Sequence, residues 1–360
     1  MLKVTPQIRR ARALAALLTV GALALAGCGS DNGSDTSATT ASAGKLDVPH
    51  KTIGYIDVLK SGAFQKRMWE AFQAAVAPTG WKVKFVDANG DPQAGAQAVQ
   101  TMIDQRVDAI IDSALDPRLI RPQLVAAQQA GIPVITITGQ DEPIESVNRL
   151  LAGEYGEVEA DLAQPLADQM AQDLKPGDEV AILTSNLLWA ARPRDDVVKR
   201  TLEAAGIKVV ANVDTALDQN EGRKKASDII TANPDLDAIV PVLDVWTAPA
   251  LDAIKQANKQ DQIKVYAFYA DDINVPLARV NDNIVALTDG NVAAAAPIAI
   301  DQLLKHFVGG KPIERFPAEA RYDYAVIPRD QLPPEGQSGP VSIDDVVKPY
   351  LDRWQQEYAK

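Results

Sequence analysis

DAIIDSALD, residues 108–116, and DAIVPVLD, residues 237–244, are two versions of one phrase. Each opens on Asp-Ala-Ile, continues through Ile111 or Val240, and closes on a Leu-Asp pair, Leu115-Asp116 or Leu243-Asp244. A short apolar run bounded by polar residues reads as a buried strand. Its return in the second half of the chain implies that one architecture is built twice.

Around the first copy, Thr52–Asp57 (TIGYID), Trp81–Val86 (WKVKFV), Asp108–Asp112 and Pro133–Thr138 (PVITIT) read as strands separated by helix-length segments. This is the βαβ pattern of a parallel sheet. Between the first two, Phe64, Met68, Phe72 and Val76 recur every four residues, which places one apolar stripe of a helix against that sheet. Around the second copy, Glu179–Thr184, Ile207–Val213, Asp237–Val242, Ile263–Phe268 and Asn283–Thr288 repeat the pattern. Helix exits repeat too: Ala130-Gly131-Ile132-Pro133-Val134 answers Ala205-Gly206-Ile207-Lys208-Val209, with glycine as the left-handed cap. The expected fold class is therefore α/β, two doubly wound parallel-sheet lobes, with Ser146–Gly153 as the first hinge. In such sheets ligands bind at the carboxyl ends of the strands, and two facing edges make a cleft.

The amino end has a different character. Lys3, Arg9, Arg10 and Arg12 precede an apolar core from Ala13 to Ala26, the layout of an export signal and too short to span a membrane. Leu25-Ala26-Gly27-Cys28 resembles the bacterial lipoprotein signal, which implies cleavage after residue 27 and acylation of Cys28, the only cysteine. An ordinary signal peptide is the alternative, and it leaves an unpaired thiol in an exported chain. Residues 28–50 are mostly Ser, Thr, Ala, Gly and Asp and read as a flexible tether. The expected location is the outer face of the cell membrane, held there by lipid.

The net charge of −12 argues against a nucleic-acid partner. An apolar share of 46% supports real cores, and no cysteine remains for disulfides. Only His50 and His306 are present, so neither a histidine metal cluster nor a Ser-His-Asp triad is expected. The adjacent carboxylates Asp195-Asp196 and Asp271-Asp272 do not face one another on a helix. Glycine-rich phosphate loops are lacking as well, so no cofactor is expected, and the chain does not read as an enzyme.

Residues 51–330 resemble the periplasmic sugar-binding proteins of ABC importers, in particular the ribose-binding-like branch. The resemblance is carried by the order and spacing of Lys60-Ser61-Gly62-Ala63-Phe64, Ala130–Ile135, Ala190-Ala191-Arg192-Pro193-Arg194, Leu243-Asp244 with Trp246, and Gly309-Gly310-Lys311-Pro312. It implies a three-strand hinge joining an N-terminal lobe (51–150 plus 291–321) to a C-terminal lobe (151–290 plus 322–334), with 335–360 as a helical extension. It further implies a monomer that captures a sugar or polyol in the interlobe cleft for a permease and ATPase. Residue by residue, Arg192 matches the arginine that grips the sugar, Phe64 a stacking position, Asp244 a polar contact with Trp246 beyond it, and Asp289 a family glutamine.

Strand ends add Asp57, Lys60, Gln140, Trp189, Tyr269 and Asp271 as candidates, although capping polar residues are common there. The chain departs from the family at Thr138-Gly139, which replaces an aspartate-arginine pair, at Tyr269, which replaces an aspartate, and at Val58. The pocket is therefore rebuilt, and the ligand need not be ribose. Two rival readings are a ligand-sensing lipoprotein of the same fold serving a signalling receptor and an exported α/β hydrolase.

Overall fold

The computed structural model of the chain describes residues 44–139, 145–186, 188–215, 218–335, 337, 339 and 341–359. The signal, Cys28 and Gln140 lie outside the described residues.

One sheet is made of β1 (Thr52–Asp57), β2 (Lys82–Asp87), β3 (Ala109–Ser113), β4 (Val134–Thr136) and β5 (Gly153–Glu154). They lie in the order β2-β1-β3-β4-β5, all parallel. The other contains β6 (Glu179–Thr184), β7 (Lys208–Asp214), β8 (Ala238–Pro241), β9 (Lys264–Ala267), β10 (Ile284–Asp289) and β11 (Ala325–Pro328), in the order β11-β10-β9-β8-β6-β7. Only β11 runs antiparallel to its neighbour. The series β2-β1-β3-β4 and β7-β6-β8-β9 match position for position, so the duplication read from the two Asp-Ala-Ile phrases is one of topology. In each sheet the order reverses at the first strand, which is the switch point where an open α/β sheet leaves a crevice.

The connecting helices are α1 (Ala63–Val76), α2 (Pro92–Asp104), α3 (Arg121–Ala130), α4 (Glu145–Asn148), α5 (Glu159–Asp173), α6 (Ala191–Ala204), α7 (Gln219–Ala232), α8 (Thr247–Gln256), α9 (Asn274–Val280), α10 (Ala295–Gly309) and α11 (Ile343–Tyr358). The stripe on α1 is buried, with Met68 and Phe72 fully enclosed and the Phe72 ring 4.7 Å from that of Tyr55 on β1. Each such side chain contributes about 1.5–3 kcal/mol of burial. The helix tightens into a 3-10 turn at Ala77–Thr79 and stops at Gly80, whose φ of +66° few other residues adopt.

Helix α10 returns to pack on α1, and α11 packs on both. Trp354 is wholly buried there, its indole N–H donating to Asp301 at 2.8 Å. The chain segments passing between the sheets are tied to each other. Glu154 N–H donates to the Arg315 carbonyl (3.0 Å), the Arg315 guanidinium meets the Glu154 carboxylate (2.6 Å), and Tyr155 donates to the Glu314 carbonyl (2.8 Å). Tyr322 donates to the Tyr155 carbonyl, and Val158 N–H donates to the Tyr324 hydroxyl.

Candidate functional site

The loops following β1, β3, β4, β6, β8 and β9 converge on one point between the sheets. They line a cavity of 60 Å³ with Leu59, Phe64, Gln65, Ala114 and Thr138 on the first side, and Trp189, Arg194, Leu243, Asp244 and Tyr269 on the second. Sequence reasoning thus placed Phe64, Trp189, Asp244 and Tyr269 in a group that the fold brings together.

The contact across the cleft is aromatic. Phe64 and Tyr269 lie with ring centroids 5.0 Å apart, a tilted pair of the kind aromatic quadrupoles favour. Tyr269 reaches that position with a φ of +72°, a conformation costly for a bulky residue. Its neighbours over-determine it: the backbone N–H donates to Thr288 Oγ1 (3.0 Å), the phenol donates to Glu157 (2.9 Å), and Arg194 donates to the phenol oxygen.

Arg194 is the centre of this arrangement. Nearly all of its side chain is buried, its guanidinium meets Glu159 at 2.6 Å, and it donates to the Val242 carbonyl at 2.8 Å. The same group lies 5.1 Å from the Phe268 ring centroid and 4.9 Å from that of Tyr269. Burial opposes its charge, but Glu159, Tyr269 and Glu157 outweigh that opposition and hold its pKa above the ordinary value. Burial, reinforced by Glu159, drives the Glu157 carboxyl upward, and its Oε1 has no hydrogen-bond partner.

Sequence reasoning missed Arg194 as a site residue. A signal was present, since Ala191, Arg194, Val198 and Leu202 fall at helical spacing on the buried face of α6, and a cation in an apolar stripe needs a buried partner. Arg192, the expected gripping residue, is exposed and lines a different cavity.

Asp244 and Asp271 form a pair at the ends of β8 and β9, both almost fully buried. Asp271 accepts from Ile273 N–H (2.9 Å) and Asn274 N–H (2.7 Å). The second oxygen of each acid has no donor, and burial together with the neighbouring carboxyl raises the pKa of Asp271 strongly. Burial raises Asp244 as well. In the first sheet, outside the cavity lining, burial pushes Asp57 up to about 6 and Asp112 to about 8. Carboxyl groups in this state accept hydroxyl protons from a ligand or donate one themselves.

The remaining candidates lie elsewhere. Trp246 is fully buried against Gly222 of α7 and packs within its lobe, outside the cavity lining. Lys60 is exposed, its ammonium 5.0 Å from the Phe85 ring centroid. Asp289 caps the turn into Asn291 (3.2 Å) beside Gly290, where an added Cβ would fall 1.6 Å from Glu157 Oε1.

Trp189 is a wall shared by three cavities. Its ring rests on Gly139, where an added Cβ would lie 1.8 Å from the indole. Its indole N–H is buried without a partner. Beyond it opens a larger cavity of 540 Å³, lined among others by Asp116, Arg118, Asn148, Arg192, Asp196 and Arg200. Among the described residues no group of three or more His, Cys, Asp or Glu is placed to hold a metal ion, and no helix is long and apolar enough to cross a membrane.

A family model described as a periplasmic binding protein domain matches residues 53–311. The D-ribose/D-allose-binding protein of Pseudomonas aeruginosa is 27% identical over 225 residues, 62% of this chain and 70% of that protein. The ribose import binding protein of Escherichia coli is 24% identical over 265 residues, 73% of this chain and 82% of that protein. Among solved structures, an ABC transporter solute binding protein from Bacillus halodurans with bound myo-inositol superposes with a TM-score of 0.70 at 19% identity, covering 81% of this chain and 98% of its own. One from Mycobacterium smegmatis with bound glycerol does so with a TM-score of 0.69 at 21% identity, covering 82% and 99%.

Proposed function

The chain belongs to the periplasmic binding protein family, solute-binding proteins of ABC transporters rather than enzymes, and on that premise we propose that it captures a sugar or sugar-like polyol between its lobes. The observation that carries this reading is the convergence of Asp244, Arg194, Tyr269 and Trp189 from one sheet's strand ends with Phe64, Gln65 and Thr138 from the other's. A ligand with hydroxyls on one face and C–H groups on the other suits carboxyl partners beside aromatic rings. Only a closed arrangement uses both sets of contacts, so ligand shifts the population toward closure. The closed surface is then what the permease of an ABC importer reads.

Residues 51–150 plus 291–321 form one moving body and 151–290 plus 322–334 the other in this proposal. The packing of α10 on α1 and the pairing of β11 with β10 support the division, while the pairing of β5 with β4 carries the first body's boundary past Glu154. Cys28, acylated after cleavage, tethers the protein to the outer face of the membrane, a reading supported by Leu25-Ala26-Gly27-Cys28 and the polar residues that follow. A thermal-shift screen across pentoses, hexoses and polyols tests capture. The expectation is a dose-dependent rise in Tm for a subset, lost in Asp244→Ala; a flat response to every carbohydrate refutes it.

A further inference from the structure

The space at the strand ends is the smaller of the two, 60 Å³, and the Phe64 and Tyr269 rings already meet across it. The 540 Å³ cavity beyond Trp189 falls within the roughly 300–1,000 Å³ typical of small-molecule sites. Trp189 is the partition, and its buried N–H lacks the acceptor that an indole normally finds.

The charges around the larger cavity divide unequally. Arg118 is ion-paired with Asp116, and Glu154 is held by Arg315 and by Asn148 at 2.7 Å. Arg192, Asp196 and Arg200 remain, spaced by four residues along one face of α6. Among the described residues neither Arg192 nor Arg200 has an ion-pair or hydrogen-bond partner. Both are exposed, so among the described lining residues two guanidinium forks face the cavity, with the Asp196 carboxylate one helical turn from each on the same face. Guanidinium forks match carboxylate and phosphate geometry.

Resting on the reading of sugar capture, we propose that the ligand is an acidic sugar: its ring packs on Trp189, and its carboxylate or phosphate enters the outer cavity between Arg192 and Arg200. The charge on the substituent distinguishes it from neutral pentoses and hexoses. Its recognition weakens with added salt because both arginines are open to solvent.

Titration calorimetry of the full chain with matched pairs tests this: glucose and glucuronate, galactose and galacturonate, ribose and ribose 5-phosphate, each at low and high salt. The charged member of at least one pair is expected to bind about tenfold more tightly than its neutral partner, the scale of one charge-assisted hydrogen-bonded contact. Preference in the uronate pairs assigns a carboxylate, and preference in the ribose pair a phosphate. Arg192→Gln and Arg200→Gln each reduce that ratio, whereas Arg223→Gln on α7, outside the cavity, leaves it unchanged. Neutral sugars binding as well as or better than acidic ones, with ratios indifferent to Arg192 and Arg200, overturn the inference and leave sugar capture standing. Binding by none of the six overturns the acidic-sugar inference, and sugar capture falls with it only if the wider screen of pentoses, hexoses and polyols is flat as well.

Discussion

Replacing Arg194 with alanine removes a cation that meets Glu159 inside the lobe. The pair is 2.6 Å apart, with 3% of the Arg194 side chain and none of the Glu159 side chain exposed. Removing one partner of such a pair costs about 3–5 kcal/mol, because the other charge is left buried and uncompensated. The Val242 carbonyl and the Tyr269 phenol each lose a donor as well, and these losses overlap with the first. With a urea m-value of about 3 kcal/mol/M, the unfolding midpoint falls by more than about 1 M.

The loss also depends on pH in a defined direction. Arg194 opposes the upward push of burial on the Glu157 and Asp244 carboxyls, so without it the variant folds with more proton uptake above the unfolded carboxyl's value of about 4.3 and loses stability as pH rises. The deficit is therefore smaller at pH 5 than at pH 8. Urea titrations of wild type and variant at both values are the assay. A midpoint shift below about 0.3 M, or a deficit that grows toward acid, refutes the assignment of Arg194 as the buried counter-ion of the site.

Tyr269→Phe keeps the ring against Phe64 but removes the bonds to Arg194 and Glu157; a loss of about 1–3 kcal/mol is expected by denaturant titration, and no loss means that the phenol does not hold the strained backbone. Asp112, pushed up to about 8 by burial, retains its proton on folding and so makes stability fall as pH rises from about 4 to about 8; Asp112→Asn flattens that slope by up to about 1.4 kcal/mol per pH unit, and an unchanged slope excludes the group. Gly290→Ala drives a methyl into Glu157 where the chain leaves β10; a lowered melting temperature and weaker ligand binding are expected in calorimetry, and wild-type values for both show that the close approach is not needed.

The strands were legible because buried parallel strands are continuous apolar runs, and Thr52–Asp57 and Glu179–Thr184 begin and end where the sequence puts them. Strands β5 and β11, of two and four residues, are too short to carry any alternation and owe their pairing to the chain crossing between sheets. The site was legible at Phe64, Trp189, Asp244 and Tyr269, which lie in the loops or first helical turn after strands. It was less so on α6, where a register difference of two residues separates exposed Arg192 from buried Arg194, and only the helical phase distinguishes them. Trp246 shows the same limit: the 3-10 turn Asp244–Trp246 leaves Asp244 at the cavity while the indole is enclosed against Gly222, and no sequence signal specifies that turn.

Small-angle scattering of the protein with and without a saturating sugar or polyol, chosen as the best thermal-shift hit, addresses the closing of two lobes on a ligand most directly. A contraction of the scattering profile on binding, absent in Asp244→Ala, is the predicted result. A ligand that binds measurably by calorimetry while leaving the profile unchanged contradicts it.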